Sequence, residues 1–181
     1  MNKIVGVFFA ICLSLSIISC ASKPPLSTGM PLEAANARRN APEDVLVGIG
    51  NADLATLAMS RATAAARARA EIANTMNSIV QNMVRDYTAV SEVDPGAAMA
   101  FQESITTTLS RSDLSGSVIY WEGPDDYGMW WTVVYLSREN VVREISQAQA
   151  AARLAVPRAY SIELEAHMNE NIQREIEQGR L

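Results

Sequence analysis

The chain has 181 residues, with 20 acids against 15 lysines and arginines, a single histidine and two cysteines. A net charge of −5 with scattered arginines and no basic run excludes electrostatic capture of nucleic acid, which needs a basic patch or stripe. The lack of a polybasic segment likewise excludes headgroup attraction as the means of holding a membrane.

Met1-Asn2-Lys3 gives a short basic start, and Ile4 to Ile18 is apolar except at Gly6, Ser14 and Ser16. A spanning helix wants about 20 apolar residues; this run is shorter and soon meets Lys23-Pro24-Pro25. Ile17-Ile18-Ser19-Cys20 closes it, where an ordinary cleaved signal ends in an Ala-x-Ala pattern. The order resembles a bacterial lipoprotein signal over residues 1–19, cut before Cys20. That resemblance implies a diacylglyceryl thioether and an acylated amino group (palmitate-type chains) on Cys20. Cys12 lies in the segment that would be removed, so the mature chain holds no internal disulfide. A lone thiol is a liability in an oxidising compartment, whereas a lipidated one is not. Two or three acyl chains anchor stably where one does not. Ala21-Ser22 follow the cysteine with no aspartate, which by resemblance to Gram-negative sorting rules implies the outer membrane, facing the periplasm.

Residues 20–42 contain four prolines, the pair Arg38-Arg39 and no apolar periodicity, and read as a flexible tether. A coil of that length spans about 25 Å. Residues 43–156 are long enough for one compact domain, and residues 157–181 read as an appended C-terminal helix.

Within the domain, Asp44 to Gly50 reads as a buried strand. A helical pattern runs from Ala52 to about Tyr87 through Leu54, Leu57, Ala58, Ile72, Met76, Val80 and Val84. Its first half is alanine-rich, which favours helix and lets it lie close against a sheet. Asp94-Pro95 signals a second helix, about Gly96 to Leu109, with Met99, Phe101 and Ile105 as core candidates. Ser115–Trp121 and Met129–Leu136 form the clearest hairpin, with Glu122 to Gly128 as its turn. Ser137 caps a third helix, Pro157 breaks it, and Tyr160, Leu164, Met168, Ile172 and Ile176 stripe the last one. The order predicts an α+β fold. Its small antiparallel sheet, one strand plus a hairpin, is packed on one face by a long Ala-rich helix and further helices.

Val47-Gly48-Ile49-Gly50, the Ala/Arg-rich stretch Ala58 to Ile72 and the hairpin with its aspartate turn resemble a family of small bacterial lipoproteins. That family is typified by the twenty-kilodalton Helicobacter outer-membrane lipoprotein. The likeness spans about Asp44 to Ser146, and the helix after Pro157 falls outside it. It implies a kinship with accessory domains of the flagellar basal body and with surface antigens, and it carries over no catalytic residue.

Gly48-Ile49-Gly50 superficially fits a dinucleotide fingerprint, but Asp53 stands where the third glycine belongs and no second strand follows closely. A tight strand-to-helix turn and close packing are the simpler roles for the glycines. Asp125-Asp126 suit a turn better than a calcium shell, since no third acid adjoins them. His167 lies on a polar helix with no glycine-flanked nucleophile elsewhere, and reads as a surface residue. Arg61, Arg67 and Arg69 read as a salt-bridged face or a contact for an acidic partner. No catalytic residue, metal or cofactor is therefore expected. Tyr120, Trp121, Trp130 and Trp131 are the candidate interaction surface. Both faces of the second hairpin strand are apolar, so the sheet's second face is either covered by the terminal helices or offered to another molecule. The narrow stripe of the last helix suits docking on its own domain or on a copy. The functional expectation is a lipid-anchored structural or interaction protein. It would bind other envelope proteins or itself and serve as an accessory of a flagellum or other surface structure. The alternative is a periplasmic binding module for peptidoglycan, lipid or a small ligand.

Overall fold

A computed structural model describes residues 29–90, 94–154, 156 and 158–178; Cys20 and residues 1–19 lie outside them. In chain order the elements are α1 (Leu32–Arg39), β1 (Val45–Ala52), α2 (Leu57–Val90), α3 (Pro95–Arg111), β2 (Val118–Pro124), β3 (Trp130–Ser137), α4 (Arg138–Ala152) and α5 (Arg158–Glu177). This is the α+β architecture expected, with a three-stranded antiparallel sheet in the order β1-β3-β2.

β3 takes the centre because both of its faces are apolar. Trp131, Thr132, Val133, Val134 and Leu136 are all buried, and a strand buried on two sides has no polar alternation to show. Ala52, Trp130 and Pro124 lie level across the sheet and mark one end; Val47, Tyr135 and Val118 lie level towards the other.

α2 lies along one face. Gly48 and Gly50 lack the Cβ atoms that would collide with the Ala68 and Ala64 carbonyls, and this lets the helix backbone approach the strand. The two glycines therefore serve the close packing expected of them, but no turn, since β1 continues to Ala52. At 1.5 Å per residue α2 is about 50 Å long, roughly twice the length of the strands, so its second half runs beyond the sheet. There α3, α4 and α5 gather round it. Met76, Val80, Phe101, Ile105, Ile145, Leu164, Met168 and Ile172 form one continuous core.

Asp94 caps α3 by accepting the Gly96 amide at 2.9 Å, and Ser137 caps α4 by accepting that of Asn140 at 3.4 Å. The buried stripe of α3 is Ala98, Phe101, Ile105 and Leu109. Met99 is exposed instead of buried, being one position off that stripe. The helix expected as an appendage is part of the main core: Leu164, Met168 and Ile172 of α5 are buried in it. The side chain of Tyr160 lies outside the described residues.

Two expectations are corrected. The tether does not extend to residue 42, because Leu32–Arg39 is a helix docked on the sheet. Nor do the terminal helices cover the second face. α1 does so in part: Ala34 and Ala37 pack on Val133, flanked by Val47, Ile49, Trp121 and Tyr135. Tyr135 Oη donates to the Ala37 carbonyl at 2.5 Å. An eight-residue helix is marginal alone, so these contacts hold it.

Candidate functional site

Successive side chains of a strand point to opposite faces, and this splits the aromatic cluster expected on the hairpin. Trp121 and Trp131 share the face covered by α1. Trp131 is 6% exposed and its indole Nε1 donates to Asp125 Oδ2 at 3.3 Å. Trp130 is half-buried on the opposite face, under the Arg61 guanidinium, whose Cζ stands 5.4 Å from the ring centroid. Of the four, Tyr120 is exposed, Trp121 and Trp130 are half-buried, and only Trp131 is corrected to a wholly packing role.

The hairpin tip explains Asp125. Its carboxylate accepts the Tyr127 and Met129 amides at 2.9 Å each, and Gly128, at φ 86°, lets the chain turn back. Desolvation would raise its pKa, but hydrogen bonds from Met129, Tyr127, the Trp131 indole and Gly128 outweigh it and hold the carboxyl below the ordinary value. Asp125 is a structural acid that closes the turn, and Asp126 beside it is exposed.

No family model matches the chain, and no curated protein or solved structure matches it significantly. The functional reading therefore rests on the chain's own sequence and geometry.

Among the described residues no group of three or more His, Cys, Asp or Glu is placed to hold a metal ion. No helix among them is long and apolar enough to cross a membrane. His167 is half-buried, its ring 5.0 Å from that of Tyr87 and its Nε2 paired at 2.7 Å with Asn171 Nδ2. Its expected position on the helix surface is thus partly covered by Tyr87. Tyr87 lies on the order of 45 Å along α2 from Leu57, the helix end beside the hairpin tip. The acids Asp125 and Asp126 and the histidine are therefore not brought together.

The three arginines of α2 clamp it to the sheet. Arg61 pairs with Glu122 of β2, Arg67 Nη1 donates to the Asn51 carbonyl of β1 at 2.6 Å, and Arg69 Nε donates to Ser117 Oγ at 3.0 Å. Glu71 completes the set. One carboxylate oxygen accepts the Ile49 amide at 2.5 Å and the other pairs with Arg38 of α1. Ile49 and Asn51 present their backbone groups to the outer side of β1, so Glu71 and Arg67 close that edge.

The other edge is different. No side chain among the described residues caps the backbone of β2, and Val118, Ile119 and Tyr120 are 62%, 42% and 61% exposed in succession. A bulge at Tyr120, where the register shifts between Ile119 and Trp121, turns the phenol onto the α1 face. There it stacks on Tyr135, centroids 4.3 Å apart and planes 8° from parallel. Burial, and secondarily the Tyr120 hydroxyl beside it, push the Tyr135 pKa up. Val118 and Ile119 were missed in the sequence because they read as ordinary strand residues; only knowing that β2 is an edge exposes them. A cleft of about 700 Å³ opens nearby between the start of α1 and the hairpin tip, lined by Met30, Leu32, Trp121, Asp125 and Tyr127.

Proposed function

We propose that the protein is a lipid-anchored envelope interaction protein that engages a partner envelope protein through the uncapped edge of β2. The observation that carries this is the asymmetry of the sheet: β1 is closed by Glu71 and Arg67, while β2, paired with β3 on its inner side, leaves three exposed apolar residues on an open outer edge. Such an edge is a template for an added strand, with main-chain hydrogen bonds for affinity and side chains for specificity. The Tyr120–Tyr135 stack beside it supplies a rigid aromatic platform of the kind that anchors interfaces. The signal-like segment ending at Cys20 supports the outer-membrane, periplasm-facing address. The resemblance over Asp44 to Ser146 supports an accessory role at a flagellum or other surface structure.

The test is photocrosslinking in intact cells from a reactive residue at Tyr120, with Gln147 on α4 as control, followed by mass spectrometry. Capture of a defined envelope protein or of a second copy from Tyr120 alone supports the reading. Equal or absent capture from both sites, with the protein folded, removes it.

The cleft beneath the hairpin tip favours a second reading, a binding module for a peptidoglycan fragment, lipid or small ligand, since its size is that of ordinary ligand sites. A thermal shift on adding soluble peptidoglycan fragments, abolished by Trp121→Ala, would support it.

A further inference from the structure

Exposed apolar side chains are ordinary when scattered and informative when they gather. Six gather at one end of this sheet: Met30 and Leu32 at the start of α1, Leu54, Leu57 and Met59 around the start of α2, and Tyr127 at the hairpin tip. The register brings two of the segments together, because Ala52, Trp130 and Pro124 are level and both the β1–α2 connection and the hairpin tip leave the sheet there. Met30, Leu32 and Tyr127 line the same cleft, and Ser60 Oγ accepts the Leu54 amide at 2.9 Å, which holds the β1–α2 connection in place.

The chain outside the described residues ends at this same place. Gly29 leads into α1 beside the hairpin tip, and Cys20 stands only nine residues earlier. Nine residues reach at most about 30 Å when fully extended. We infer that this apolar rim rests on the lipid bilayer to which Cys20 is tied, so that the protein stands on the membrane with α2 rising away from it. This rests on the reading of Cys20 as the lipidated residue.

The charges of the rim select the surface. Glu33, Asp53, Asp125 and Asp126 surround it, and Arg61, the nearest arginine of α2, is engaged by Glu122. An acidic rim gains nothing from anionic headgroups, so the fitting surface is a zwitterionic one such as phosphatidylethanolamine. A weak contact is sufficient, because the anchor makes docking intramolecular and raises its effective concentration to the order of millimolar. The opposite end, where α5 meets the last turns of α2, is then held clear of the lipid.

The experiment uses the full chain, purified from membranes and returned to phosphatidylethanolamine vesicles with brominated acyl chains. An environment-sensitive fluorescent amino acid replaces Leu57, Met59 or, as the distal control, Ile162 in separate proteins. Expected are a blue shift and several-fold stronger bromine quenching at positions 57 and 59 than at 162. The effect should persist at about 1 M salt, where the Debye length is about 3 Å, and should weaken as anionic lipid is added. Equal weak quenching at all three positions overturns the proposal. So does shielding of position 57 that follows protein concentration and ignores brominated lipid, which would assign the rim to a second copy. The intact mass of the same sample reports acylation of Cys20. An acylated protein without quenching sinks the docking and leaves the anchor. An unacylated protein with quenching keeps the docking and sinks the anchor, and an unacylated protein without quenching sinks both.

Discussion

Gly48 and Ala68 are matched: the carbonyl oxygen of Ala68 occupies the space that any Cβ at position 48 would need, with Ile72 Cγ1 only 2.8 Å from the same point. The nearest of these atoms is helix backbone, which moves only if the whole of α2 moves. Gly48→Ala is therefore expected to destabilise the fold by about 1–3 kcal/mol or more. Thermal unfolding should register about 2–4 °C per kcal/mol for a chain of this size. Gly50→Ala, against Ala64 and Ala68, should behave alike. An unchanged midpoint in both variants would refute the close approach.

Glu71 joins both faces of the sheet around the outer side of β1. Its partner groups are partly exposed, so removing the carboxylate is expected to cost only about 1 kcal/mol globally. The local effect should be larger. In Glu71→Ala, hydrogen exchange is expected to accelerate at the Ile49 amide and through residues 32–39, with α3 and α4 unchanged. Glu71→Gln keeps an acceptor for Ile49 and loses the Arg38 ion pair, so it should loosen α1 while protecting Ile49.

Asp125 links the turn to pH. Its folded carboxyl titrates below the ordinary value, so folding favours the ionised form. The unfolded state binds the proton more readily, and stability rises with pH through this range. The contribution is complete above the unfolded carboxylate pKa of about 3.9 and is lost as pH falls through the folded one. Asp125→Asn should lower the melting temperature near neutrality and leave a flatter acid limb. The two melting curves are expected to converge once pH falls below the folded pKa of Asp125; parallel limbs would show that the carboxylate is not the titrating group.

Val118→Lys places a charge on the open edge of β2 without touching the core, since Val118 is 62% exposed. Surface changes of this kind usually stay within about 0.5 kcal/mol, while an edge lysine blocks strand addition. Partner capture from Tyr120 should fall at least several-fold with the melting temperature unchanged. Full capture by Val118→Lys would move the interface off this strand.

The long helix and the hairpin were legible because their signals are strong and local. Alanine spacing marked α2, Asp94-Pro95 marked α3, and the aromatic runs about Gly123-Pro124 marked the β2–β3 turn. α1 was not legible. It has eight residues between Pro31 and Pro42, buries only Ala34 and Ala37, and depends on Tyr135 and Glu71 from far along the chain. The aromatic site was half legible. Trp130 and Trp131 are adjacent on one strand and must point apart, a constraint that already forbade a single patch of all four. What the spacing did not carry was which strand lay at an edge, and hence that Val118 and Ile119 meet solvent more fully than the tryptophans.

The unequal edges also limit how far the sheet can be extended. If two copies joined β2 to β2 about a two-fold axis, the outer strands of the combined six would both be β1, each sealed by its own Glu71 and Arg67. Growth would stop at a pair. A sheet open at both edges, with an apolar strand at one of them, would otherwise risk runaway polymerisation into cross-β ribbons. A terminator built into the opposite strand removes that hazard while leaving the β2 edge able to take one added strand.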